Sequence, residues 1–72
     1  MSRKENKMRA IYIKTMDFMF ENVDILNAHT PKELEDKIKE NEVIKINNDG
    51  HIEYINSSYI MYFMLERSSN GY

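Results

Sequence analysis

The two histidines, His29 and His51, are the side chains of this sequence best suited to bind a metal or to transfer a proton near neutral pH. A metal site needs several ligands that the fold brings together. The chain contains no cysteine, which excludes thiolate ligands and disulfide bonds. The histidines lie on either side of a predicted helix and strand, and neither has a second ligand at suitable spacing on its own element. We therefore expect no metal site.

The carboxylates and hydroxyls form no recognisable catalytic pattern. General acid–base catalysis needs a carboxylate in an apolar pocket, and the nearest candidate, Glu53, is expected to pair across strands with Lys45. The serines lie in predicted turns and tails without a nucleophile elbow. Glycine occurs only at Gly50 and Gly71, so no phosphate-binding loop precedes a helix. We expect no catalytic residue, no cofactor, no small-molecule substrate and no enzyme activity.

A short basic segment at the N-terminus offers a different kind of chemistry. Residues 1–14 carry five basic side chains against one acidic side chain, whereas the rest of the chain is acidic. Lysine and arginine at such a segment can contact phosphate, but a solubilising, partly frayed arm is the favoured interpretation. In the alternative interpretation, a nucleic-acid-binding protein, the candidate phosphate contacts are Arg3, Lys4, Lys7 and Arg9.

Three tyrosines bear on the same alternative. Tyr54, Tyr59 and Tyr62 are expected on adjacent strands, where they could stack bases as sheet-based single-strand binders do. However, no lysine or arginine lies between Lys45 and Arg67. A core role for the tyrosines is therefore favoured, and nucleic acid is not the partner that we expect.

The sequence Thr30-Pro31-Lys32-Glu33 predicts the start of a helix that runs to residue 40. Threonine can accept a bond from a free amide, proline suits the first helical position, and glutamate at the third position can reach back to the cap. Only Leu34 and Ile38 form an apolar stripe. The helix is therefore predicted to cover a core rather than to build one.

The same helix carries an acidic side, formed by Glu33, Asp36 and Glu40. A solvated helix face is the ordinary role of such residues. The face is also a candidate surface for another protein, because an acidic surface can imitate nucleic acid and occupy a basic groove.

The sequence Asn48-Asp49-Gly50 predicts a hairpin, for which two registers compete. A two-residue loop would place Ile46 opposite Glu53, and a three-residue loop would place Ile46 opposite Ile52. We favour the three-residue loop, because it pairs apolar residues on one face and opposite charges on the other. Its expected pairs are Ile46–Ile52, Lys45–Glu53, Ile44–Tyr54 and Val43–Ile55.

The first third of the chain fits two patterns. Apolar residues from Met8 to Leu26 follow helical spacing, but β-branched and aromatic residues are frequent and alternate as in strands. We favour two strands, over about residues 9–15 and 18–27. The chain is then a single α+β domain at 9–67, with the order β-β-α-β-β-β and a mostly antiparallel sheet. Residues 1–8 are predicted to form a flexible basic arm and residues 68–72 a flexible tail.

The last predicted strand is apolar on both faces. Strand alternation places Ile60, Tyr62 and Met64 on one side, and on the other side Tyr59, Met61, Phe63 and Leu65. A chain of 72 residues buries only about 60% of its unfolded surface, and one thinly apolar helix covers one sheet face at most. Either the sheet curls into a half-barrel or a second copy covers it. We expect a homodimer, with Tyr59, Met61, Phe63 and Leu65 as the candidate interface.

Several absences indicate where the protein acts. The N-terminal residues do not form a secretory signal, and charged residues interrupt every apolar stretch before it could span a membrane. The absence of cysteine fits a reducing compartment. We expect a soluble, cytoplasmic protein without a membrane partner.

The segment from Glu42 to Ile60 resembles the closing hairpins of many short, uncharacterised phage and prophage proteins. The shared features are a strand, an Asn/Gly turn, the stretch Tyr54-Ile55-Asn56-Ser57-Ser58 and an isoleucine-rich last strand. The composition is similar to that of proteins from AT-rich Gram-positive bacteria and their phages. The resemblance implies an accessory or inhibitor role. Together with the residue patterns, it predicts a non-enzymatic protein-interaction module that acts as a homodimer.

Overall fold

The computed structural model describes residues 8–66, which form one helix and five strands. The elements are β1 (Met8–Thr15), β2 (Met19–Ile25), α1 (Pro31–Lys39), β3 (Val43–Asn48), β4 (His51–Asn56), a 3-10 helix (Ser57–Tyr59) and β5 (Ile60–Leu65). The predicted α+β class and the predicted order of elements along the chain are confirmed.

All strand pairs are antiparallel, and the spatial order is β4-β3-β2-β1-β5. The last strand therefore does not extend the β3–β4 hairpin. It crosses to the opposite side and pairs with β1. The sheet is open rather than closed into a barrel, and among the described residues its two edges are β4 and β5.

The first third of the chain forms two strands, and the helical alternative is wrong. In both strands the alternation of buried and exposed residues changes phase. On β1, for example, Ala10 and Ile13 are both buried although they lie three positions apart. Relative to β5, the extra residue of β1 is Ile11, which lies between the paired residues Ala10 and Tyr12. On β2, Asn22 adopts a left-handed φ of 54°, which asparagine tolerates better than most residues. Met8, which the sequence placed in the arm, begins β1 and is buried.

The predicted start of α1 is confirmed. The hydroxyl of Thr30 accepts a hydrogen bond from the amide of Glu33 at 3.1 Å, and Pro31 is the first helical residue. Glu33 Oε1 accepts from the amide of His29 at 2.7 Å, one residue earlier than the capping-box pattern predicts. The first bond satisfies an amide that the first turn of a helix leaves free, and the second ties the residue before the cap to the helix.

The β3–β4 hairpin has the two-residue loop, so the favoured three-residue register is wrong. Ile46 lies opposite Glu53, Lys45 opposite Tyr54 and Ile44 opposite Ile55. Asp49 and Gly50 have φ angles of 55° and 90°. Positive φ at both central residues defines the turn whose twist matches that of paired strands. The side chain of Asn47 also accepts from the amide of Gly50 at 2.8 Å.

The core lies on one face of the sheet, beneath α1. Leu34 is the only residue of α1 that is fully buried. The main neighbours of the helix are β3 and the 3-10 helix. Burial of one large apolar side chain stabilises the fold by about 1.5–3 kcal/mol, so this face provides most of the stability. The buried cluster consists of Met8, Ala10, Ile13, Phe20, Val23, Ile25, Ala28, Leu34, Ile44, Ile46 and Ile55.

Replacing Gly50 by alanine should lower the free energy of unfolding by about 1–2 kcal/mol, because a left-handed φ is unfavourable for a residue with a Cβ. An added Cβ would meet no atom within 4 Å, so the cost is conformational rather than steric. Urea denaturation measures the change.

Asp49→Gly is the matched control, because glycine also adopts the φ of 55° found there. Its stability should stay within about 0.5 kcal/mol of the parent, since the relief of strain opposes the greater freedom of the unfolded chain. Equal stability of Gly50→Ala and the parent protein would contradict the two-residue turn.

Candidate interaction surface

Exposed apolar side chains gather where β5 pairs with β1, on the sheet face that points away from α1. We call this the outer face. Directly opposite residues of paired strands share a face. Tyr62 lies opposite Lys14, and Met64 lies opposite Tyr12. Met19 lies opposite Lys14 on the other side of β1.

We call Tyr12, Met19, Tyr62 and Met64 the β5 patch. The rings of Tyr12 and Tyr62 meet edge to face, with their centroids 5.8 Å apart, which is a favourable aromatic geometry. Tyr62 is 50% exposed and Met64 is 47% exposed. The patch is therefore ordered by an aromatic contact but remains half open to solvent.

The middle of the outer face is charged rather than apolar. Arg9 Nε lies 3.3 Å from the carboxylate of Asp24 and 3.8 Å from that of Glu66. The guanidinium also donates to the backbone oxygen of Asn22 at 3.2 Å. A partner that covered this region would have to remove water from all three charges, which is costly. The apolar surface available to a partner is thus confined to the sides of the sheet.

A second apolar group lies at the opposite edge, on β4 and the adjacent part of β3. Val43, Ile52 and Tyr54 are exposed there, and Tyr54 lies opposite Lys45. Tyr54 and Tyr62 thus occupy equivalent positions: each is on an edge strand, half or more exposed, and opposite a lysine of the neighbouring strand.

The core face is also incompletely covered at β5. Ile60, Phe63 and Leu65 pack against the core but are only partly buried. The helix does not shelter them fully, because it lies mainly against β3 and the 3-10 helix. Strand β5 therefore has partly uncovered apolar side chains on both faces.

The structure does not bring the four residues of the predicted interface onto one face. Tyr59 belongs to the 3-10 helix, and Met61 is the extra residue of β5 between the pairs Lys14–Tyr62 and Thr15–Ile60. This irregularity shifts the alternation, so that Phe63 and Leu65 join Ile60 against the core. Tyr59 and Met61 are exposed. Strand alternation correctly placed Tyr62 and Met64 on one face, but the opposite face was chosen as the interface.

The two edge strands differ in their protection against pairing with another chain. Strand edges in monomeric proteins are usually blunted by charge, proline or a bulge. Strand β4 contains His51 and Glu53, and the side chain of Asn48 donates to Glu53 at 3.2 Å. Strand β5 has the sequence IMYFML, without a charged residue or proline. The only feature on β5 that protects its edge is the irregularity at Met61, close to one end of the strand.

The predicted acidic helix face is largely engaged within the fold. Glu33 accepts the amide of His29, and Asp36 lies 3.3 Å from the ammonium of Lys32. Glu40 is exposed at the end of the helix. The three residues lie along one shallow groove with Lys37 and Glu42, whose charges pair at 3.2 Å. The groove holds excess negative charge, but two of the three predicted carboxylates already have structural partners.

The candidate phosphate contacts are not assembled among the described residues. Arg3, Lys4 and Lys7 lie outside residues 8–66, and Arg9 is paired with two carboxylates. The prediction that the three tyrosines lie on adjacent strands is wrong. Tyr54 is on β4 and Tyr62 on β5, at opposite edges of the sheet, so they cannot form one base-stacking platform.

No activated nucleophile or metal centre is formed within residues 8–66. His29 and His51 are exposed, and no group of three His, Asp or Glu side chains in this range is arranged to hold a metal ion. Ser57 is buried and its Oγ has no hydrogen-bond partner, so no base activates it. Glu53 is partly buried and accepts from Asn48.

No protein family model, curated protein or solved structure matches this chain. The resemblance to phage and prophage proteins therefore stays a prediction. Among the described residues, no helix has the length and apolar character needed to cross a membrane.

Glu33 should prove to be a structural residue rather than a free member of a binding surface. Glu33→Ala removes the acceptor of the His29 amide, so we expect a loss of about 0.5–1.5 kcal/mol in the free energy of unfolding. Thermal or urea denaturation measures it.

Glu35→Ala is the control, because Glu35 is exposed on the same helix and its side chain makes none of the side-chain hydrogen bonds found among residues 8–66. It should be neutral within about 0.5 kcal/mol. If both variants were equally stable, the hydrogen bond between Glu33 and His29 would not contribute to the stability of the fold.

Proposed function

We propose that this protein is a non-enzymatic protein-interaction module whose first partner is a second copy of itself. One observation carries the proposal: strand β5 has half-exposed apolar side chains on one face and partly buried core residues on the other. Large apolar patches on small proteins commonly mark interaction sites.

Coverage of β5 by a second chain is energetically favourable. Tyr62 and Met64 each leave about half of their surface in water, and burial of apolar area contributes about 25 cal/mol per Å². A domain of this size has a marginal core, and no cysteine is available for a disulfide bond. Association supplies the missing burial, and a twofold dimer is the commonest way for one chain to do so.

The distribution of charge supports the β5 side in preference to the middle of the outer face. Arg9, Asp24 and Glu66 already form ion pairs at the middle, and a partner there would have to desolvate them. The four residues of the β5 patch are uncharged, but Lys14 lies between Tyr62 and Met19, and Glu21 lies opposite Tyr12. An interface at the β5 edge can leave both charges in water, because Glu21 is on β2 and a lysine side chain can extend its ammonium group into solvent.

The acidic groove is a weaker basis for a function. Of its three predicted contact residues, only Glu40 has a side chain without a hydrogen bond or ion pair among residues 8–66. An additional basic protein partner for this groove remains a prediction of the sequence. Nucleic-acid binding has less support, since Arg9 is already paired and the acidic surface would repel phosphate.

The molar mass measured by sedimentation equilibrium over a wide concentration range tests the proposal. We expect it to rise from that of one chain to that of two. Tyr62→Glu should raise the dissociation constant of the dimer by about tenfold or more, or about 1.4 kcal/mol, because a charge would have to be buried at the interface.

Tyr54→Glu is the matched control. It introduces the same charge on the same face, and both glutamates lie opposite a lysine that can accommodate them, Lys45 or Lys14. It should change the dissociation constant by less than about twofold. A parent protein that has the mass of one chain at every concentration would rule out the homodimer, and equal effects of the two variants would remove β5 from the interface.

A further inference from the structure

The outer edge of β5 is an uncharged strand edge that the described residues leave without a partner. We propose that two copies join edge to edge through β5, antiparallel about a twofold axis at Met64, and form one continuous ten-stranded sheet. This geometry rests on the proposed homodimer and specifies its interface.

The hydrogen bonds at the end of β5 show which backbone groups are available. The amide of Glu66 donates to the backbone oxygen of Arg9 at 2.8 Å, so the backbone groups of Glu66 point towards β1. In an antiparallel pair, these groups point to alternate sides at successive residues. The amide and carbonyl groups of Leu65 and Phe63 therefore point away from β1, towards the open edge.

The two available residues favour one register for a second copy, because only an axis at Met64 pairs them with each other. If Met64 lies on the axis, Phe63 of each copy lies opposite Leu65 of the other, and all four residues can exchange backbone hydrogen bonds. An axis at Phe63 would instead place Leu65 opposite Met61, the irregular residue of the strand. An axis between two residues would place a core-face residue opposite an outer-face residue, which the pleat does not allow.

The side chains are self-complementary in this register. On the core face, Phe63 meets Leu65 of the second copy, and both are partly buried residues that pack against the core. On the outer face, Met64 meets Met64, and Tyr62 lies opposite Glu66. No two like charges face each other, since β5 itself carries none. The interface therefore places the apolar residues on each face of β5 beside those on the same face of the second copy.

A second copy suits this edge better than the β4 edge or a face-to-face arrangement. Strand β4 carries the carboxylate of Glu53, so an antiparallel self-pair centred on that residue would place two like charges opposite each other. A face-to-face dimer would cover the Arg9, Asp24 and Glu66 ion pairs. Pairing through β5 leaves the Arg9–Asp24 ion pair at the surface, places Tyr62 of the second copy beside Glu66 without covering it, and uses the uncharged strand.

Cysteine cross-linking tests the register, because the chain has no cysteine of its own and a single introduced thiol is unique. Residues that face each other without mutual backbone bonds have Cα atoms about 4.5 Å apart, a separation that a disulfide can bridge. Under mild oxidation, Met64→Cys should form a disulfide-linked dimer at least tenfold faster than Met61→Cys.

Met61→Cys is the matched control, because Met61 is the more exposed of the two methionines, at 61% against 47%. Random collision would favour cross-linking at residue 61, whereas the proposed register separates the two copies of that residue by about 20 Å, six residues along extended strands. A faster reaction at residue 61, or equal rates, in a protein that is dimeric would overturn the register and leave the homodimer standing.

A second measurement on the parent protein covers the case in which Met64→Cys does not fold. In a dimer assembled from isotopically labelled and unlabelled chains, we expect an intermolecular nuclear Overhauser effect between the Hα atoms of the two Met64 residues. Its absence in a dimeric sample would overturn the edge-to-edge geometry. A parent protein that is monomeric at every concentration would overturn both this inference and the proposed function, and would leave β5 open to a strand from a different protein.

Discussion

A five-stranded sheet with apolar side chains on both faces is sheltered by one helix of nine residues, and this imbalance governs the structure. Leu34 is the only helix residue that is fully buried, and Ile38 adds a partial contact. The helix lies towards β3, and the core-face residues of β1, β2 and β3 are buried, whereas those of β5 are only partly buried. Because burial is the main source of stability in so small a domain, the uncovered side is where association brings the largest gain.

Three independent features converge on β5. It is an edge strand among the described residues, its core-face residues are only partly buried, and Tyr62 and Met64 are half exposed on its outer face. The crossover from β4 produces this arrangement, because it carries an uncharged strand away from its own hairpin to the far side of β1. Natural sheets normally protect such an edge, and a second copy of the chain provides that protection without additional residues.

The sequence was sufficient for the elements that local chemistry determines. The start of α1 follows from Thr30 and Pro31, and two strands in the first third follow from the abundance of β-branched and aromatic residues. The hairpin register was wrong, because pairing of like side chains suggested a three-residue loop, whereas positive φ at both Asp49 and Gly50 selected the two-residue loop.

Features that depend on distant strands could not be obtained from the sequence. The position of β5 beside β1 is set by the whole core, so Tyr54 and Tyr62 were wrongly placed on adjacent strands. The irregularity at Met61 exists only relative to β1, and it redistributed the predicted interface between the two faces. The prediction that apolar surface remains uncovered did not depend on these details, and the exposure of Tyr62 and Met64 confirms it.

Residue-resolved amide hydrogen exchange, measured at several protein concentrations, tests most directly whether a second copy covers the β5 edge. If two copies pair through β5, the amides of Phe63 and Leu65 will exchange more slowly as the protein concentration rises. The outward-facing amides of β4 will exchange rapidly at every concentration. Exchange at Phe63 and Leu65 that is rapid and independent of concentration would contradict this pairing.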